Sequence, residues 1–194
     1  MAADKKKAGE KKASTKKAPK TSKLVLKKSK KKLGDPSDSL IIDVPQGGQV
    51  IRYFNLKPAL ATPIGPGDWI FAERGTTTDI SSLTVTFPDN QSALERELER
   101  AVLVISIEQD EQAGGTWRFA LGGVATDQQD EDPNNDIVLD IIDNGFGMLV
   151  YIHALQDSYE SVPFGFVASF TDATTGVVSI YESQDPSVII TRPR

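Results

Sequence analysis

The chain has no cysteine. Disulfides, thiolate metal sites and a cysteine nucleophile are therefore excluded, whatever compartment it occupies. It has one histidine, His153, so no pair of imidazoles is available for zinc or for acid–base work. The first 33 residues contain neither arginine nor an aromatic ring, which removes bidentate base reading and base stacking from that stretch. Long apolar runs are missing too. Leu24-Val25-Leu26 is the longest near the N-terminus, well short of the roughly 7–15 residues of a secretory signal core. Nothing in the chain approaches the roughly 18 apolar residues of a membrane span. A cytoplasmic protein away from membranes is expected. No G-x-S-x-G elbow, H-E-x-x-H pair or phosphate-binding glycine loop occurs, and His153 lies in the alternating run Met148 to Leu155, as a satisfied strand residue would. Enzyme activity is not expected, and no cofactor is implied.

Charge is present in quantity, but its signs are segregated. The N-terminal stretch carries Lys5, Lys6, Lys7, Lys11, Lys12, Lys16, Lys17, Lys20, Lys23, Lys27, Lys28, Lys30, Lys31 and Lys32 against Asp4 and Glu10, a balance of +12. The remainder holds 25 acidic and 8 basic residues, a balance of −17. A stretch so poor in apolar side chains cannot offset the roughly 1–2 kcal/mol per residue that ordering its backbone costs. Residues 1–38 therefore read as a disordered lysine-rich arm and hinge, and residues 39–194 as an acidic folded domain. Lysines on a mobile chain neutralise phosphates and release counterions, so nucleic acid or another polyanion is the expected partner, bound without sequence preference. A self-associating domain would link many weak arms into a firm coat. That combination suits a homo-oligomeric structural protein, nucleoid-associated or inside an assembled particle such as a coat or shell. The alternative is a homopolymeric or storage assembly in which the arm docks on acidic neighbouring domains, without nucleic acid.

From Ser39 onward the pattern is that of strands. Eleven short runs rich in β-branched and aromatic residues follow one another: 40–44, 49–56, 68–73, 82–87, 102–107, 116–121, 137–142, 146–154, 164–170, 177–181 and 188–191. Glycine, proline and Asp-Asn clusters punctuate them. Asn144-Gly145 suits a tight hairpin, since both residues tolerate positive φ, and 164–170 with 177–181 reads as a second hairpin. One segment has helical signals: Ser92 and Glu95 have capping-box spacing, and Leu94, Leu98 and Val102 recur every four residues. These features predict an all-β domain, a β-sandwich or jelly-roll-like fold with at most one short helix.

Two groups of residues are candidates for binding. Asp127, Asp130, Asp132 and Asp136 cluster in one loop, and carboxylates at such density could supply oxygen ligands to calcium. The spacing is not that of an EF-hand loop, and a solvated acidic loop that keeps a sheet edge from pairing accounts for the same residues. Trp69 and Trp117 each follow glycines at the start of a strand, where an indole could stack on a ligand such as a glycan; packing at the rim of the core is the plainer role.

The C-terminal stretch resembles two bacterial families. Phe164-Gly165-Phe166-Val167-Ala168, Thr175-Gly176 and Ser183-Gln184-Asp185-Pro186-Ser187-Val188-Ile189-Ile190 are similar to the ending of the DP-EP family, where an aromatic strand, a Thr-Gly turn and a final strand opened by Asp-Pro close a β-sandwich. The PixA-type inclusion-body proteins end similarly, and their Gly-Asp strand resembles Gly67-Asp68-Trp69-Ile70-Phe71. Both resemblances imply a compact β domain of poorly defined role and neither implies catalytic residues; the second also implies a tendency to accumulate or assemble.

Overall fold

The computed structural model describes residues 39–193 except 61–67, 91, 127–131, 133, 158 and 184–185. The fourteen lysines of the arm, with Asp127 and Asp130, thus lie outside the described residues. Among the described residues eleven strands form: β1 (Ser39–Asp43), β2 (Gln49–Lys57), β3 (Ile70–Glu73), β4 (Ser82–Thr86), β5 (Arg100–Ile107), β6 (Gly115–Thr126), β7 (Ile137–Ile142), β8 (Gly147–Ile152), β9 (Tyr159–Asp172), β10 (Val178–Glu182) and β11 (Ser187–Thr191). A single helical turn, α1 (Ala93–Arg96), sits between β4 and β5. The fold is all-β, as the alternation predicts.

The strands make two sheets. One runs β1-β4-β11-β9-β10 with β6 also paired to β9; the other runs β3-β2-β5-β8-β7. β1 and β11 both lie parallel to β4, and β2 lies parallel to β5; the remaining pairs are antiparallel. Alternation decides which face of each strand goes inward. Leu83 and Val85 of β4, Val188 and Ile190 of β11, and Leu103 and Ile105 of β5 are all fully buried, while their neighbours in sequence face outward. Burying one such side chain contributes about 1.5–3 kcal/mol. Rings join the sheets through the middle: Phe54 stacks on Phe71 at 4.9 Å, and Phe71 meets Phe166 at 5.1 Å.

Local chemistry sets the connections. Asp143, Asn144 and Gly145 have φ of 52°, 53° and 92°, so the β7–β8 turn falls where asparagine and glycine were read as a hairpin turn. β9 and β10 pair antiparallel, the second expected hairpin, with Asp172 Oδ1 accepting the Thr174 and Thr175 N–H groups in its turn. The cap of α1 also forms: the Ser92 hydroxyl accepts the Glu95 N–H at 3.3 Å. The longer helical face does not. Leu94 and Leu98 are 72% and 52% exposed, and Val102 belongs to β5. Residues 100–107 gain a backbone partner on each side, from β2 and β8, which a one-turn helix cannot match.

One ion pair is buried at the end of the sandwich. Arg192, just after β11, donates to Glu99 Oε2 at 2.6 Å, to the Ala154 carbonyl at 2.7 Å and to the Pro88 carbonyl at 2.7 Å, with its guanidinium over the Phe87 ring. Glu99 Oε1 accepts from the Gly47 N–H and from Asn90 Nδ2. Burial pushes the Glu99 carboxyl up, but those hydrogen bonds and the Arg192 charge outweigh it and hold it below the usual range.

Candidate functional site

Three features stand apart from plain packing. The first is a group of carboxylates where β7 begins. Asp132 folds the chain back on itself: its Oδ1 accepts the Asp136 N–H at 2.7 Å and its Oδ2 the Ile137 N–H at 3.0 Å. This loop arrangement carries Asp136 inward, to 3% exposure, where it meets Glu160 from β9. Oxygens of Asp132, Asp136 and Glu160 lie within 4.8 Å of one another. Asn134 Nδ2 donates to Glu160 Oε1, while Asp136 Oδ2 and Glu160 Oε2 are buried without a hydrogen-bond partner. Burial, then the charges of Glu160 and Asp132, push the Asp136 carboxyl up to about 6. Burial and the Asp132 charge push Glu160 up as well. A carboxyl raised toward neutrality is the usual equipment of a general acid, yet at 3% exposure Asp136 offers no room for a substrate. Cation binding is the chemistry that this set of oxygens fits.

The second feature is the outward face of the β3-β2-β5-β8-β7 sheet. Registers place Ile51, Val102, Tyr151 and Val138 in one row across β2, β5, β8 and β7, and Tyr53, Val104, Leu149 and Asp140 in the next. Seven of the eight are apolar or aromatic, and Ile51, Tyr53 and Val138 are 48%, 47% and 46% exposed. Arg74 stands at one end, its guanidinium over the Tyr53 ring and bonded to Ser106 Oγ. Near the other end lies Arg100, whose Nε is buried without a partner. Burial, then the Arg100 charge, lowers the affinity of His153 for a proton.

The third feature is the tryptophan pair. The structure brings Trp69 and Trp117 together, edge to face at 5.7 Å. Trp117 is 1% exposed and also packs on Phe170 and Tyr181, while Trp69 is half-buried beside it. A cleft of about 250 Å³ opens next to them, lined by Lys57, Leu60, Asp68, Ile70, Gln112 and the rim of Trp117. Packing is what surrounds both rings.

Of the expected calcium ligands, Asp132 and Asp136 come together; Asp127 and Asp130 lie outside the described residues. Sequence reasoning missed Glu160, which arrives from β9, 24 positions after Asp136. A further sign was available only in hindsight of register: a glutamate two residues before the buried Val162 sits on the inward-facing phase of its strand.

Two solved structures are similar in part. One, described as PbICP-C in complex with falcipain-2, is 12% identical, covers 71% of this chain and 98% of its own, and has a TM-score of 0.26. The other, the cysteine protease inhibitor EhICP2 from Entamoeba histolytica, is 9% identical, covers 73% and 96%, and has a TM-score of 0.20. No curated protein matches the sequence. These findings correct the partner expected from the arm. The first is described in complex with another protein and the second as a cysteine protease inhibitor, neither description mentions nucleic acid, and the family match reported next begins only where the arm ends. Nucleic acid or another polyanion, and the homo-oligomer organised around it, are therefore withdrawn as partners. Likeness at these TM-scores does not bring protease inhibition to this chain. No helix among the described residues is long and apolar enough to cross a membrane. The shared ending noted in the sequence extends much further than its dipeptides, because the DP-EP family matches residues 38–192, and the chain belongs to that family.

Proposed function

We propose that this is a non-catalytic protein-binding domain, which docks another protein on the outward face of the β3-β2-β5-β8-β7 sheet. The observation that carries this reading is the pair of adjacent rows, Ile51-Val102-Tyr151-Val138 and Tyr53-Val104-Leu149-Asp140, in which Ile51, Tyr53 and Val138 stand exposed around a buried Val102, on a sheet whose other face already builds the core. Contiguous apolar surface of this kind marks interaction sites, whereas singly scattered apolar residues do not. Tyrosines at its centre supply large contact area with a polar tip, the composition of binding hot spots. Charge narrows the partner. In a body with 25 acidic residues, these two rows hold one carboxylate, Asp140, and are flanked by Arg74 and Arg100. The matching surface is apolar, with carboxylates placed to meet the two guanidiniums.

The test places a photo-reactive phenylalanine analogue at position 53 of the full chain in its native host, and at position 41 on the other sheet as control. The protein captured only from position 53 is then purified and titrated with wild-type chain and with Tyr53→Glu/Val138→Glu. The expected result is at least tenfold weaker binding by the double variant. Equal capture from position 41, capture of this chain alone or of nucleic acid, or unchanged affinity of the variant would refute the proposal.

A further inference from the structure

We propose that Asp132, Asp136 and Glu160 bind one calcium ion that staples the two sheets together where β7 meets β9. Clustered acids alone do not make a site. Here the second observation is Asp136 itself, 3% exposed with Oδ2 lacking any hydrogen-bond donor. A buried carboxylate oxygen left unpaired is costly, more so than a neutral group, and Glu160 Oε2 is in the same condition. The loop does not relieve this. Asp132 spends both oxygens on the backbone N–H groups of Asp136 and Ile137, which fixes three negative groups in place and adds no positive one. A divalent cation supplies what is missing.

Ligand number and type select the ion. Calcium accepts several protein carboxylates in one shell, whereas magnesium keeps much of its water and is usually held by only one or two. The three ligand oxygens lie within 4.8 Å of one another, close enough for all three to reach a calcium ion at about 2.4 Å. An all-oxygen set without imidazole or thiolate is also unlike a zinc site. Calcium takes 6–8 oxygens, so backbone carbonyls or water would complete the shell. Asp136 leads into β7 of one sheet, and Glu160 lies in β9 of the other. An ion shared by them would join the two carboxylates directly, where the loop now reaches β9 through the Asn134–Glu160 hydrogen bond.

The experiment uses the full chain, stripped with chelator, and calcium chloride as the only ligand. Calorimetric titration is expected to give one site per chain. At calcium a hundredfold above its dissociation constant, the thermal midpoint should rise by about 5–10 °C. Asp136→Asn should abolish that rise while keeping the native circular dichroism spectrum; if it fails to fold, Glu160→Gln takes its place. An unmoved wild-type midpoint overturns the proposal. So does an equal rise in the variant, which would mean diffuse binding to surface carboxylates, and an equal rise with magnesium chloride, which would contradict the choice of calcium.

Discussion

Replacing Arg192 by methionine should destabilise the domain by about 3–5 kcal/mol, the usual result of removing one partner from a buried ion pair. The structure shows why the upper part of that range applies. The substitution removes three hydrogen bonds, to Glu99 Oε2, Ala154 O and Pro88 O, together with the contact over Phe87. It leaves the Glu99 carboxylate, fully buried, with only the Gly47 N–H and Asn90 as donors. In a domain of this size each 1 kcal/mol moves the thermal midpoint by about 2–4 °C, so a fall of about 6–20 °C is expected by circular dichroism. The pH dependence follows from the same pair. Glu99 has a folded pKa below its ordinary value, so its stabilising contribution is complete above about pH 4.5 and is lost as pH falls through the lowered value. Without Arg192 two of the influences that lower the carboxyl are gone, so the variant loses less stability on acidification than wild type. The gap between wild type and variant should therefore be widest at pH 7 and narrow toward pH 4. Glu99→Gln in the Arg192→Met background keeps an acceptor for Gly47 and Asn90 but removes the stranded charge, and should recover part of the loss. A single variant within about 1 kcal/mol of wild type, or a double variant no better than the single one, would refute the reasoning.

Asp136→Asn should raise stability at pH 7 in chelator by about 1–3 kcal/mol, because an acid raised to about 6 is ionised there at a cost. That cost is fully present above about pH 6 and vanishes below the unfolded value near 4, so chelated wild type should gain stability between pH 7 and pH 5; a flat profile in urea titrations would count against it. Gly115→Ala should cost about 1–3 kcal/mol, since a Cβ there would run into the Phe170 ring and the Thr171 carbonyl; denaturant midpoints measure it, and a neutral result would mean that β6 and β9 separate easily. Tyr53→Lys and Val138→Lys should change stability by less than about 1 kcal/mol yet lower the fluorescence of a bound anilinonaphthalene dye, because both side chains are about half exposed.

Strand positions were legible because a half-buried strand alternates with period two, and that signal is local. Eleven runs were read and eleven strands form. Their limits failed where the backbone departs from a plain strand. Leu121, Gly122 and Gly123 have φ of 52°, 88° and 86° and read as a turn, yet they are an irregularity inside β6, which continues to Thr126 after a shift of register. A Cβ on Gly123 would press on Met148 Sδ, so the glycine there answers to a neighbouring strand. Pairing order was not legible at all. Nothing in β1, β4 and β11 announces that the first and last strands flank β4 in parallel, because that arrangement closes a separation of 43 residues between Ser39 and Ser82 and of 105 between Ser82 and Ser187.

The candidate sites divide along the same line. Asp132 and Asp136 were visible as a local cluster, but the residue that turns them into a set, Glu160, is brought by β9 and looks in sequence like one acid among many. Glu99 and Arg192 lie 93 positions apart, and only the fold shows that each neutralises the other out of reach of water. Composition counts charges without their depth. The segregated +12 and −17 drew attention to the arm, whereas the groups with the largest electrostatic stakes are three carboxylates and one guanidinium inside the domain: Asp136, Glu160, Glu99 and Arg192. A charge in water is screened and cheap, while one under the surface must be matched within a few ångströms or leave its cost in the stability. Glu99 is matched by protein. Asp136 and Glu160 are not, and that difference between two buried acidic sites of one molecule is the reason to look for an ion at the second.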